Sequence, residues 1–305
     1  MKKTRIVVIG SGAVGATTTY TLMLRNRADE LVLIDSNEKK AAGDALDMNH
    51  GIPFLGATKL WAGTYADCED ADIIIITAGA AQREGEPRTE LLKRNSVIMD
   101  SIMNEVMKSN TNGIILLASN PVDVMSYYAW RKSGLPVNRV IGSGTLLDSA
   151  RFRYLIGSHL DIDPRSVHAH IIGEHGDSEL PVWSLANVAG TKLELSDEDR
   201  ENIFTHTRDA AYEIISAKGA TYYAIALALD RICTAILRDE GAVLNVSTLL
   251  EDYHGISDVY LGVPCIVDRD GVRAVLKLEL SDNEVERLHR SAAKLKSLNA
   301  SIAIE

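Results

Sequence analysis

Four side chains in this sequence could together move a proton and hold a small anion. His175 lies in Gly173-Glu174-His175-Gly176-Asp177, a polar turn after an apolar run. An imidazole titrates near neutrality, so it can give or take the proton of a hydroxyl group. In Leu147-Asp148-Ser149-Ala150-Arg151-Phe152-Arg153, Asp148 and Arg151 stand three residues apart. On a helix they share a face, where one could hold an imidazole and the other a carboxylate. Arg88 follows the glycine-bearing stretch Ala78 to Pro87, from which a guanidinium could close over a ligand. Each has a plainer reading: a loop histidine, an intrahelical salt bridge, a solvated loop charge.

The elements that must position these groups begin at Arg5-Ile6-Val7-Val8-Ile9-Gly10-Ser11-Gly12-Ala13-Val14-Gly15. The apolar β-branched run predicts a strand buried on both faces, and Ala13 to Leu24 can continue as a helix. Gly10, Gly12 and Gly15 then fall at G-x-G-x-x-G spacing between strand and helix, the context in which that pattern marks a dinucleotide cradle. Gly10 permits the tight turn, Gly12 admits a pyrophosphate, and Gly15 lets the helix lie close to the strand. The free N–H groups of Ala13 and Val14 face the anion. The next strand, Leu31 to Ile34, ends in Asp35, placed to accept from ribose hydroxyls. Asp35 would repel a 2′-phosphate, and Ser36 and Asn37 supply no arginine to neutralise one, so NAD is expected rather than NADP.

Asp72 to Thr77 and Gly113 to Ala118 are further strands. In a parallel sheet ligands sit beyond the carboxyl ends of strands, which adds Thr77, Ala78, Gly79, Ser119 and Asn120 to the candidate cofactor contacts. With helices at Asn37–His50, Glu90–Lys108 and Val124–Lys132, and strands at Lys59–Ala62 and Val140–Ile141, residues 1–142 predict an α/β Rossmann unit: a doubly wound parallel sheet. Residues 143–305 change texture. A helix at Leu146–Leu160 precedes a strand at Ser166–Ile172. Ser196 caps a helix that Lys218-Gly219 separates from a second at Thr221–Leu237. Strands follow at Ala242–Thr248, Val259–Val267 and Val272–Leu276, with Asp270-Gly271 as a hairpin signal, and Ser281 and Glu284 form a capping box for a last helix. This half is expected to be a mixed α/β substrate and oligomerisation domain.

The 305 residues carry a formal charge of -10, which argues against nucleic acid or an anionic membrane as partner. Cys68, Cys233 and Cys265 are far apart and fit neither a disulfide framework nor a zinc site, and no metal is expected. The apolar run after Met1-Lys2-Lys3-Thr4-Arg5 is too short for a signal peptide, which predicts a cytoplasmic protein.

Taken jointly, G-S-G-A-V-G, I-D with Asp35, G-A-A-Q-R-E-G-E-P-R, S-N-P-V-D, G-T-L-L-D-S-A-R-F-R, I-G-E-H-G-D-S-E and K-G-A-T-Y-Y occur in the order of one family. The chain resembles the L-lactate and malate dehydrogenases over essentially its whole length. The resemblance implies hydride exchange between a nicotinamide and a 2-hydroxy acid. It makes His175 the proton donor and acceptor, Asp148 its partner, Arg151 the anchor of the substrate carboxylate, and Arg88 the group that polarises the ketone, with Asn120 on the same oxygen. The residue six before Arg88 is Gln82, as in the lactate enzymes. Malate enzymes have arginine there to pair a second carboxylate, so pyruvate and L-lactate are the implied substrates. Thr221 closes the pocket around the methyl end. Arg83 could present a cation if the loop shifted by one residue, and Glu84 and Pro87 depart from the usual loop. Arg153 and His168 match the positions at which bacterial members bind fructose bisphosphate across a twofold axis, which implies that effector and a homotetramer. The chain also begins at the first strand, as bacterial members do. A malate or broader 2-hydroxy-acid dehydrogenase is the alternative, and an idle dinucleotide-binding protein the reading from another class.

Overall fold

The computed structural model describes residues 3–80, 88–109 and 112–302. Gln82, Arg83, Glu84 and Pro87 lie outside the described residues. Arg88 is described only as the first residue of a helix.

The first half alternates strand and helix as its pattern predicts: β1 (Arg5–Ile9), α1 (Ala13–Leu24), β2 (Glu30–Ile34), α2 (Glu38–Gly51), β3 (Lys59–Ala62), β4 (Ile73–Ile76), α3 (Arg88–Ser109), β5 (Ile114–Leu117), α4 (Val122–Ser133) and β6 (Val140–Gly142). The strands pair in parallel in the order β3-β2-β1-β4-β5-β6. Helices on both faces explain the unbroken apolar strands: all four isoleucines of β4 are buried, each contributing on the order of 2 kcal/mol.

The second half comprises α5 (Leu146–Leu160), β7 (Val167–His168), β8 (Ile171–Ile172), β9 (Leu180–Pro181), β10 (Asn187–Val188), β11 (Thr191–Lys192), α6 (Asp197–Lys218), α7 (Tyr223–Leu237), β12 (Ala242–Leu249), β13 (Tyr260–Asp268), β14 (Gly271–Val275) and α8 (Asp282–Ala300). β12, β13 and β14 extend the first sheet, joining it antiparallel where Ser247 faces Gly142, so that one nine-stranded sheet runs through both halves. The strand expected at Ser166–Ile172 is two short strands. β7 pairs with β10 and β8 with β9, so the chain changes partners at Ala169-His170. α7 starts at Tyr223, leaving Thr221 in the link after Gly219, which ends α6 in the left-handed conformation. The capping box of Ser281 and Glu284 forms as expected.

α5 bridges two cores. Leu146 and Leu147 belong to the main core under the sheet, whereas Phe152 and Ile156 belong to a second core with Val167, Ile203 and Phe204. The helix is therefore fixed at both ends, and residues 148–151 sit where the two cores meet. All three cysteines are free and buried; burial pushes the Cys68 thiol up to about 12, so none resembles a reactive thiolate. Among the described residues no helix is long and apolar enough to cross a membrane.

Candidate active site

The glycine turn is built from close approaches. A Cβ on Gly15 would lie 1.7 Å from the Gly10 carbonyl oxygen, so no side chain fits between α1 and the turn. A Cβ on Gly12 would meet nothing within 4 Å, so the space in front of α1 is open. Gly12 is the N-cap, it supplies no side-chain cap, and the first turn holds no acidic residue. The N–H groups of Ala13, Val14 and Gly15 thus face an open site without an internal anion, a donor set suited to a pyrophosphate. Asp35, at the end of β2, accepts from the backbone N–H groups of Ser11 at 2.6 Å and Asn37 at 2.8 Å. It braces the turn and retains lone pairs for ribose hydroxyls. Lys40 is the nearby cation missed in the sequence, but its ammonium is paired with Asp44 at 2.6 Å and also bonds the Ser11 carbonyl.

The ends of β4 and β5 meet this turn. Thr77 Oγ1 donates to the Gly10 carbonyl at 3.1 Å, and the Ala78 N–H to Ile9 at 3.0 Å. Ser119 Oγ donates to the Ala78 carbonyl at 2.6 Å. Asn95, buried on α3, accepts from the Ala80 N–H and donates to the Asn120 carbonyl, both at 2.8 Å. Thr77, Ala78, Gly79, Ser119 and Asn120 therefore line one edge, with Asn95 holding its two loops together.

His175, Asp148 and Arg151 do converge. The Asp148 carboxylate is buried between two cations: Oδ2 lies 2.6 Å from His175 Nδ1 and Oδ1 accepts from Arg151 Nη1 at 3.0 Å. Helical spacing explains the Arg151 contact. The His175 contact requires the turn after β8 to be aimed at α5. Three anchors aim it. The His175 N–H donates to Asp123 Oδ2 at 2.8 Å, while Asp123 Oδ1 accepts from Ser247 at 2.6 Å. The Glu174 N–H donates to Ser291 at 2.8 Å, and its carboxylate binds Lys294 at 2.7 Å and Ser178. Tyr212 on α6 donates to Asp177 at 2.8 Å.

Burial acts to lower the His175 imidazole, but the charge and hydrogen bond of Asp148 outweigh it, with Glu179 and Asp123 adding, and it is pushed up to about 9. Burial also acts to raise Asp148, yet His175 and Arg151 hold it below the usual carboxylate range. Asp123 has no cation of its own, and burial pushes it up to about 6. With Nδ1 bound to Asp148, the ring's Nε2 is the nitrogen left for a substrate, and Arg151 keeps guanidinium N–H groups for an anion. The arrangement can hold a carboxylate and pass one proton to a neighbouring oxygen.

Thr221 makes no described hydrogen bond to this cluster. Arg153 and His168 line a separate cavity of about 490 Å³ with His170 and Arg231. Asp123 and Glu179 do not stand out in the sequence, because a carboxylate that becomes buried reads like any other in a polar stretch.

Two family models match the chain: the lactate/malate dehydrogenase NAD binding domain over residues 4–142 and the lactate/malate dehydrogenase alpha/beta C-terminal domain over residues 145–303. The chain is 53% identical to an L-lactate dehydrogenase of Halalkalibacterium halodurans over 304 residues, covering 99% of this chain and 98% of that protein. It is 49% identical over 313 residues to an L-lactate dehydrogenase 2 of Bacillus cereus, covering 99% of this chain and all of that protein. In structure it is similar to the minor L-lactate dehydrogenase of Enterococcus mundtii in a ligand-bound form, with a TM-score of 0.98, 42% identity and full coverage of both chains.

Proposed function

This chain belongs to the lactate/malate dehydrogenase family of NAD-dependent oxidoreductases, and on that footing we propose that it interconverts pyruvate and L-lactate. The observation that carries the reading is the buried Asp148 carboxylate held between His175 and Arg151, next to the open end of α1. Bound at the turn Gly10 to Gly15, with its ribose on Asp35, NADH supplies the hydride that the pyruvate carbonyl carbon receives. Arg151 holds the pyruvate carboxylate through paired N–H groups. His175 gives its Nε2 proton to the carbonyl oxygen, and Asp148 stabilises the imidazolium before transfer and fixes the tautomer after it. Arg88 and Asn120 donate to the same oxygen as charge develops on it, and closure of the loop before Arg88 excludes water. Thr221 bounds the methyl end.

Gln82 supports pyruvate over oxaloacetate. A second carboxylate against an uncharged amide would be desolvated without a cation, at a cost of several kcal/mol. The test is steady-state oxidation of NADH with a panel of 2-oxo acids. A higher kcat/KM for pyruvate than for oxaloacetate is expected, and the opposite order would make the enzyme a malate dehydrogenase.

The same reading makes the protein a cytoplasmic homotetramer activated by fructose bisphosphate. Arg153 and His168 opening on one cavity, with Arg231 as a further cation there, supports an anionic effector. Arg153 and Arg151 share α5, so ordering the first could set the second.

A further inference from the structure

Beside the His175–Asp148 pair lies a group that the proposed reaction does not use. Glu179, on the segment just before β9, is 4% exposed, and its Oε1 has no hydrogen-bond partner among the described residues. Ligand atoms of Glu179, Asp148 and His175 all lie within 4.8 Å of one another. A buried carboxylate that close to Asp148 and without a donor of its own is costly as an anion and cheap as an acid. The charged groups around it are Asp148 and Arg151 from α5, His175 from the turn, and Arg208 from α6, whose guanidinium is committed to Asp209 at 2.8 Å. Burial and Asp148 push the Glu179 carboxyl well above its ordinary range, although His175, Arg151 and Arg208 pull the other way.

We propose that Glu179 is a positioning residue that sets the net charge the His175, Asp148 and Arg151 cluster offers to the substrate carboxylate. With Glu179 uncharged, an imidazolium and a guanidinium face one carboxylate, and the cluster carries one net positive charge for a monoanionic 2-oxo acid. With Glu179 ionised that charge is cancelled, and the anion is held more weakly without any change in the groups that touch it. The three side chains are also close enough to share a metal ion, but a cation there would displace the His175 Nδ1 proton and sit beside Arg151. A proton on Glu179 satisfies the same cluster with neither penalty. The inference rests on the 2-oxo acid reading of the site, and specifically on its single carboxylate at Arg151.

The test compares wild type with Glu179→Gln, a neutral isostere of the acid, in KM and kcat for pyruvate from pH 6 to 10. Below about pH 7 the two should agree within about twofold. As pH rises the wild-type KM should climb by on the order of tenfold through the loss of one charge, while the variant lacks that climb and kcat stays matched. Calorimetric titration of the NADH complexes with oxamate, in buffers of different ionisation enthalpy, should show alkaline proton uptake on binding that is smaller in the variant. Identical alkaline KM profiles, or a tenfold difference already present at pH 6, would overturn the proposal. Glu179→Met is the second variant, with the same expectation. If neither folds, the wild type alone must show an alkaline KM inflection that kcat lacks, and a KM that merely follows kcat counts against it. Should the wild type reduce another 2-oxo acid instead of pyruvate, only the substrate assignment fails, and the profiles are then taken with that acid.

Discussion

Asp148 serves two cations with one carboxylate, and that division makes its removal informative. Asp148→Asn keeps the shape of the side chain and removes the charge that raises His175. Without that charge burial is left to lower the imidazole. In the reducing direction His175 must carry the proton, so wild-type kcat/KM for pyruvate should hold through neutrality and fall as pH rises through about 9. Oxidation of L-lactate needs the neutral ring and should rise across the same interval. In Asp148→Asn the fall should move to lower pH, with turnover at neutrality reduced on the order of a hundredfold and NADH affinity within about twofold of wild type. Unaltered turnover would remove Asp148 from the mechanism. At this scale the sequence was informative where chemistry needs a rare type at a fixed spacing, as with Asp148 and Arg151 on one helical face. It was silent on Asp123 and Glu179, because the property that distinguishes them is burial, which is decided by chain segments far away in sequence.

Single elements carry the next distinction. The two glycines flanking the first turn of α1 differ in what a methyl group would meet, and so their alanine variants should fail in different ways. Gly15→Ala drives Cβ to 1.7 Å from the Gly10 carbonyl, which forces α1 off the strand and should destabilise the fold by about 3 kcal/mol or more. Gly12→Ala places its methyl in open space, so thermal stability should change little while NADH affinity drops on the order of tenfold or more, as measured by fluorescence titration. Equal loss of stability in both variants would contradict these roles for the two glycines. The period of apolar residues made α1, β3 and α5 legible to the residue, because each is amphipathic or buried in a simple way. The segment Ser166–Ile172 reads as one strand since its apolar residues alternate without a break. Only the positions of β9 and β10 divide it, and pairing partners are not written in a strand's own sequence.

For the molecule as a whole, the continuous sheet means that the glycine turn and the His175 turn are held by one framework. The join at Gly142 and Ser247 was not legible, since a single pairing leaves no periodic trace. The α5 helix links the cluster to the cavity of Arg153 and His168, and this gives the effector reading a direct consequence. Fructose bisphosphate should lower the KM for pyruvate and raise the melting temperature at neutral pH, and Arg153→Gln should abolish both responses while leaving activity without effector in place. No response in the wild type would leave that cavity without the assigned role. Labour is divided between the halves of the chain: the first binds NADH, and one imidazole of the second completes the reaction. That division is tested most directly by His175→Gln, with NADH binding and pyruvate turnover measured on the same preparation. NADH affinity should stay within about twofold of wild type and turnover should fall by on the order of a thousandfold; a variant that turns over pyruvate within tenfold of wild type would contradict it.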